Sequence, residues 1–444
     1  MKLLRSMATA AGFAALASLA ALAATRAEAA TRIDFFFPVP VDGALAKEMQ
    51  NLVARFNKEN PDIEVTAAYT GTYDDTDVKT RAAIKAGKPP AVALMSANFI
   101  TQYHIDDLAL AFDPLVEALG QTPDAFMNEF WPALAGNARV DGKIYGVPFH
   151  NSTPLLYYNV EAFKEAGLDP DKPPVTWAEW LDDAKKLTKR EGDKTTRYGI
   201  EISGSYDILG WVVSALVMSN GGLYYNPEYG GEIYYDAPST LGALTFLDDL
   251  VHKAKVMPEG TIQTPAMNNA FFGGQAAMIV SSTGSLSFIR QNMKTPYRVA
   301  FIPRNLRNAV PIGGASLIIP KGNSPERVQA AWKLIAWLTS PEIAGGWSRF
   351  TGYFAPRKAA YDLPAMKEFL DRNPDAKVAL DQLAFARPWF ATYNTTAVRK
   401  ALEDEVQAML SGKKTPAEAL KAAQANADAL LKGYVEATAL NLPK

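Results

Sequence analysis

Three histidines, no cysteine and 47 acidic residues make up the reactive inventory of this 444-residue chain. Without cysteine there is no thiol nucleophile, no thiolate zinc site and no disulfide. His104, His150 and His252 stand far apart and outside the H-E-x-x-H spacing that would put two ligands on one helix face. They read as packing or surface residues, and no metal site is expected. No G-x-S-x-G elbow, Walker loop or G-x-G-x-x-G fingerprint is present, so neither an activated serine nor a nucleotide cofactor is expected. The composition leaves glycoside hydrolysis open, because that chemistry needs only two facing carboxylates. Binding without chemistry is the simpler reading.

The charge narrows what could be bound. With 45 basic residues against 47 acidic, the formal charge is −2, which gives no electrostatic footprint for nucleic acid or an anionic membrane. Residues 1–29 read as a signal peptide: Lys2 and Arg5, an Ala/Leu run from Ala10 to Ala24, then an A-x-A site at Ala27-Glu28-Ala29. The run is alanine-rich and barely long enough to span a bilayer, which argues against an anchor. Cleavage near Ala29 removes 29 of 444 residues and leaves 415; three basic residues and one acidic go with them, moving the charge from −2 to −4. With no twin-arginine pair and no cysteine to carry a lipid, an exported, unanchored product is expected. No later segment reaches 18 uninterrupted apolar residues, so no direct membrane insertion is expected.

The elements that would position a site follow from periodicity. Arg32–Phe37 reads as a buried strand. Asp42–Asn60 reads as a helix with Leu45, Met49, Leu52, Val53 and Phe56 on one face. Ile63–Tyr69, Asp75–Ala86 and Ala91–Met95 continue as strand, helix and strand, the alternation of a mostly parallel sheet covered by helices. Lys143–Phe149 and Pro154–Asn159 form two extended runs, after which 161–280 reads as mainly helical, with a capping box at Thr176-Trp177-Ala178-Glu179. Gly221–Tyr235 reads as a loop or hairpin. Strand character returns at Ala276–Val280 and Val310–Pro320. Helices are expected from Pro325, over Thr395–Leu410, and from a second capping box at Thr415. Strands near 145, 280 and 315 separating helical blocks imply a chain that passes several times between two α/β lobes, with function in the cleft between them.

Collinear motifs then resemble a known family. They include Arg55-Phe56-Asn57 with Glu59-Asn60-Pro61-Asp62, Pro148-Phe149 with Ser152-Thr153-Pro154, and Ala166-Gly167-Leu168-Asp169-Pro170. Further on come Gly284-Ser285-Leu286, Ile312-Gly313-Gly314-Ala315-Ser316-Leu317, Thr351-Gly352-Tyr353 and Gly412-Lys413-Lys414-Thr415-Pro416. The order is similar to the extracellular solute-binding proteins of bacterial ABC importers, in the cluster that includes maltose-binding proteins, and within it to the glycerol-3-phosphate binders. The resemblance implies an α/β two-lobed periplasmic-binding-protein (Venus-flytrap) fold with interleaved lobes and a multi-segment hinge. Lobe 1 is expected over 30–152 plus 283–322, and lobe 2 over 153–282 plus 323–444. It also implies a monomeric periplasmic receptor without catalysis, with a small phosphorylated polyol as ligand and an ABC permease with its ATPase as partners. A neutral di- or oligosaccharide is the alternative ligand, and a secreted carbohydrate-active enzyme the remote one.

By the same resemblance, ligand contacts fall on Tyr73, Ser152, Ser282, Gly314, Tyr353 and Arg399. The chemistry is apt: a guanidinium fork can hold two phosphate oxygens, and Arg399 lies near a helix start that favours an anion. Each residue has a plainer reading too. Arg399 can pair with Glu403 one turn on, the tyrosines can be packing, and the serines can be a strand end and a helix cap. The sequence departs from the family at Ala97, where the glycerol-phosphate binders carry a glutamate that accepts glycerol hydroxyls. Ser96 and Asn98 are the candidate substitutes. Trp211 either stacks on a ligand or belongs to the core of a helix. The phosphate end therefore reads as retained and the other end as rebuilt, which brings in glycerophosphodiesters.

Overall fold

The computed structural model describes residues 30–39 and 44–439; the expected signal peptide lies outside them. Ten strands build two five-stranded sheets. In chain order they are β1 (Thr31–Phe37), β2 (Ile63–Tyr69), β3 (Val92–Ser96), β4 (Val147–Ser152) and β5 (Pro154–Asn159). The rest are β6 (Lys189–Glu191), β7 (Lys194–Ile202), β8 (Ala276–Ser282), β9 (Tyr297–Ala300) and β10 (Gly313–Ile318). The first sheet runs β2-β1-β3-β10-β4, with β1 parallel to β2 and β3, and β10 antiparallel to both its neighbours. The second runs β9-β5-β8-β7-β6. Strands β3, β4, β5, β8 and β10 are buried at every residue. This is why they read as continuous apolar or small-residue runs rather than alternating ones.

Helices cover both sheets. Those that bear on function are α1 (Leu45–Glu59), α2 (Tyr73–Lys85), α3 (Ile208–Ser219), α4 (Pro325–Leu338), α5 (Pro341–Thr351), α6 (Thr395–Leu410) and α7 (Pro416–Thr438). Helix α1 buries the stripe Leu45, Met49, Leu52, Val53 and Phe56, the i, i+4, i+7, i+8, i+11 face that its periodicity predicts. The capping boxes at Thr176 and Thr415 are both formed. Helix α3 is buried at nearly every position, so it threads the second core and does not cover it.

Two separate cores give two lobes. One gathers Phe35, Phe56, Phe112, Phe149 and Trp347; the other gathers Tyr157, Trp180, Leu216, Ile279 and Leu402. The chain passes from the first sheet to the second at Thr153, between β4 and β5. Thr153 accepts the amide of Thr283 at 3.0 Å, and its own amide reaches the Thr283 hydroxyl at 3.3 Å.

The remaining boundaries differ from expectation. Residues 283–312 do not join the first lobe: Leu286, Ile289, Val299, Ile302 and Ile312 belong to the second core, because β9 pairs antiparallel along β5 and holds them there. The crossing falls instead just before Gly313. Conversely, α4 and α5 lie in the first lobe, where Trp332 packs on Phe112 and Phe126. The third crossing lies between Tyr353, in the first core, and Phe354, in the second. The segment 161–280, expected to be mainly helical, also carries the β6–β7 hairpin. Its Lys- and Thr-rich sequence hides an edge strand whose outer face is solvated.

Candidate functional site

A cavity between the lobes is lined from the first by Tyr73, Ser96, Ser152, Gly313, Gly314 and Tyr353, and from the second by Asp207, Ile208, Trp211, Ser282 and Trp389. It is narrow, about 30 Å³. Of the residues named from the sequence, Tyr73, Ser96, Ser152, Trp211, Ser282, Gly314 and Tyr353 meet here. Arg399 and Asn98 do not line it.

Helix starts gather around this space. Tyr73 is the first residue of α2, behind the Thr72 cap. Ser96 precedes the turn Ala97–Phe99, and Ser282 caps the turn Thr283–Ser285 by accepting the amide of Gly284 at 3.0 Å. Asp207 stands immediately before α3. Thr72, Ser282 and Glu403 take up some of the amides at these starts, and the amides they leave place partial positive charge beside the cavity.

Glycines set the close approaches. A Cβ on Gly313 would lie 2.7 Å from the Trp211 indole, and one on Gly284 would lie 2.5 Å from the Tyr353 ring. Gly314 adopts φ 84°, and a Cβ there would meet the His150 carbonyl at 2.0 Å. Behind the cavity, His150 stacks on Tyr353 (4.6 Å, 11°), and its Nε2 lies 3.0 Å from the Tyr73 hydroxyl. Burial lowers the His150 pKa to about 3, so the ring is a neutral spacer that sets the two tyrosines. Asn98 plays a similar part: fully buried, it accepts the Ser96 hydroxyl at 2.7 Å. Ala97 is buried beside them and offers no polar atom.

Arg399 is 1% exposed, and its fork is filled by the protein's own carboxylates. One terminal nitrogen donates to Asp207 at 3.0 Å, the other to both oxygens of Asp74 at 3.0 Å, and Nε donates to Glu403 at 3.2 Å. Lys400 also reaches Asp74, at 3.3 Å. The expected phosphate fork is thus a buried hub behind Asp207, and the pairing with Glu403 exists but is not solvated. Burial works against the Arg399 charge, yet Asp207, Glu403 and Asp74 outweigh it and raise its pKa. Burial also raises Asp207 to about 6 and Glu403 to about 7, with Arg399 opposing.

The sequence reading passed over Asp207, Ile208, Gly313 and Trp389. A usable signal existed for Asp207, an acid closing the polar run Gly204-Ser205-Tyr206 before an apolar helix. Trp389 is held from both lobes: its indole donates to Ser214 at 3.0 Å, and its backbone exchanges two 2.8 Å bonds with the Asn137 amide. Among the described residues, no cluster of three His, Cys, Asp or Glu side chains could hold a metal ion.

The bacterial extracellular solute-binding protein family matches this chain over residues 51–379. The sn-glycerol-3-phosphate-binding periplasmic protein UgpB of Escherichia coli O6:K15:H31 is 31% identical over 418 residues, covering 90% of this chain and 92% of the relative. Among solved structures, UgpB from Mycobacterium tuberculosis in complex with glycerophosphocholine superposes with a TM-score of 0.79 at 25% identity, covering 91% of this chain and all of that one. Maltose-bound MalE3 of T. maritima superposes with a TM-score of 0.76 at 25% identity, covering 90% and 99%.

Proposed function

Because this chain belongs to the bacterial extracellular solute-binding protein family, we propose that its interlobe cavity captures a glycerophosphodiester, with glycerol-3-phosphate as the weaker ligand. As a solute-binding protein of an ABC importer it serves a permease and its ATPase. Among the described residues, no helix is long and apolar enough to cross a membrane. The periplasm is the compartment, reached by cleavage of the leader near Ala29, and the receptor works as a monomer.

The observation that carries the ligand is the Asp207 carboxylate in the cavity wall. Ala97 cannot accept a glycerol hydroxyl; Asp207 can, from the opposite lobe. The phosphoryl oxygens are left to the Ser152 and Ser282 hydroxyls, the tyrosine hydroxyls and the helix starts. The one carboxylate in that wall, Asp207, repels a phosphomonoester carrying up to two charges more than a diester carrying one. No chemistry on the ligand is proposed. Among the described lining residues Asp207 is the one carboxylate, whereas glycoside hydrolysis needs a facing pair.

The cavity is too narrow for a whole diester, so capture requires the lobes to part and then close, and the ligand shifts that balance because it touches both lobes only when closed. A neutral disaccharide is the second reading, favoured by Trp211 and Trp389 in one wall. Thermal shift separates them: a ligand at 100 times its Kd adds about 2.7 kcal/mol to the stability of the folded state. Glycerophosphoethanolamine should raise Tm more than glycerol-3-phosphate, and maltose should leave it unchanged. A shift with maltose alone would transfer the protein to the sugar reading.

A further inference from the structure

Trp389 lines a second interlobe chamber as well, this one of about 570 Å³. The size is that of an ordinary small-molecule pocket, whereas the inner cavity is about 30 Å³. The first lobe contributes His104, Arg139 and Asp141 to its wall, and the second contributes Tyr229, Ala391 and Tyr434. Arg139 is paired with Asp124 at 2.7 Å, while Asp141, 2.8 Å from the His104 Nε2, and Glu228 stand exposed at the rim. Tyr434 is sandwiched between Tyr393 (4.7 Å, 7°) and Tyr229 (5.8 Å, 25°), which makes a rigid aromatic ledge on α7. Between the two spaces, Trp389 is fixed by Ser214 from one side and Asn137 from the other.

We propose that this chamber is a second subsite of the cleft, taking a neutral polyhydroxylated ring, an inositol or a sugar, borne as the head group of the diester whose glycerol end occupies the inner cavity. The inference rests on the function proposed above. A hydroxylated ring offers C–H edges to the tyrosine ledge and hydroxyls to side chains that both donate and accept. The carboxylates that a cationic head group would meet, Asp141 and Glu228, are both exposed, where water and salt screen them.

The test is calorimetry on the full-length mature protein with two diesters, glycerophosphoinositol and glycerophosphoethanolamine. The inositol ester should bind about tenfold more tightly, the scale of one or two added hydrogen bonds. Ala391→Trp, which fills the chamber, and Tyr434→Ala, which removes the ledge, should each abolish that advantage by weakening glycerophosphoinositol about tenfold more than glycerophosphoethanolamine. Equal affinities in the wild type, tighter binding of the cationic ester, or parallel loss of both ligands in both variants would overturn the proposal. If neither diester binds, the glycerophosphate reading itself has failed, and maltose becomes the probe. Maltose binding that Ala391→Trp abolishes then upholds the chamber as a sugar site, and no maltose binding overturns it.

Discussion

Asp207 occupies φ 71°, ψ −53°, the geometry of a strained γ-turn that non-glycine residues rarely adopt. What holds it is Glu403, whose Oε1 accepts the amides of Asp207 at 2.6 Å and Gly210 at 3.0 Å, and so caps α3 from a different helix. This has a consequence for pH. The folded-state pKa values of Asp207 and Glu403 are raised, from 3.8 to about 6 and from 4.5 to about 7. Between the unfolded and folded values the native state binds more protons, so these groups' contribution to stability declines as pH rises from about 4 to about 7 and is flat above that. Urea denaturation at pH 5 and pH 7 should therefore show a steeper loss of stability in the wild type than in Glu403→Gln, which keeps the amide-accepting oxygen but cannot ionise. Identical pH slopes would mean that Glu403 does not titrate in this range.

At the scale of elements, the Gly313-Gly314 start of β10 lets two walls close on each other. Gly313→Ala puts a methyl group into the Trp211 indole and should cost about 1–3 kcal/mol through overpacking. Ligand affinity should fall with it, and a change in tryptophan fluorescence should report the displaced ring. Unaltered affinity and fluorescence would detach Trp211 from the site. Most of this layer was legible beforehand. The α1 stripe, the capping boxes and the strands at 31–37, 63–69 and 154–159 follow from periodicity and turn chemistry because burial on one face leaves a repeat in the residues. Which residues line the inner cavity was legible mainly through the motif order, which supplied Tyr73, Ser152, Ser282, Gly314 and Tyr353. It failed at Arg399 because spacing shows Glu403 one turn away but cannot show Asp74, 325 residues distant. The lobe boundaries after Thr153 differ for the same reason: β9 is assigned to its sheet by pairing with β5, a long-range contact that four residues of local pattern do not encode.

For the whole molecule, the bond between Asp74 on α2 and Arg399 on α6 joins the lobes directly, beside those of Asn137 with Trp389 and Gln102 with Thr395. Asp74→Ala should favour the open form. Small-angle scattering of the ligand-free variant should give a larger radius of gyration, and ligand affinity should weaken by roughly fivefold, the upper scale of a partly exposed ion pair. An unchanged radius would show that the remaining bonds suffice to hold the lobes. The three crossings, at Thr153, before Gly313 and after Tyr353, carry a further consequence. Since β10 lies between β3 and β4 in the first sheet, a cut at Thr153 separates pieces that are woven together like the fingers of clasped hands. A receptor nicked there would run as two fragments on a denaturing gel and still elute as one body from a native column.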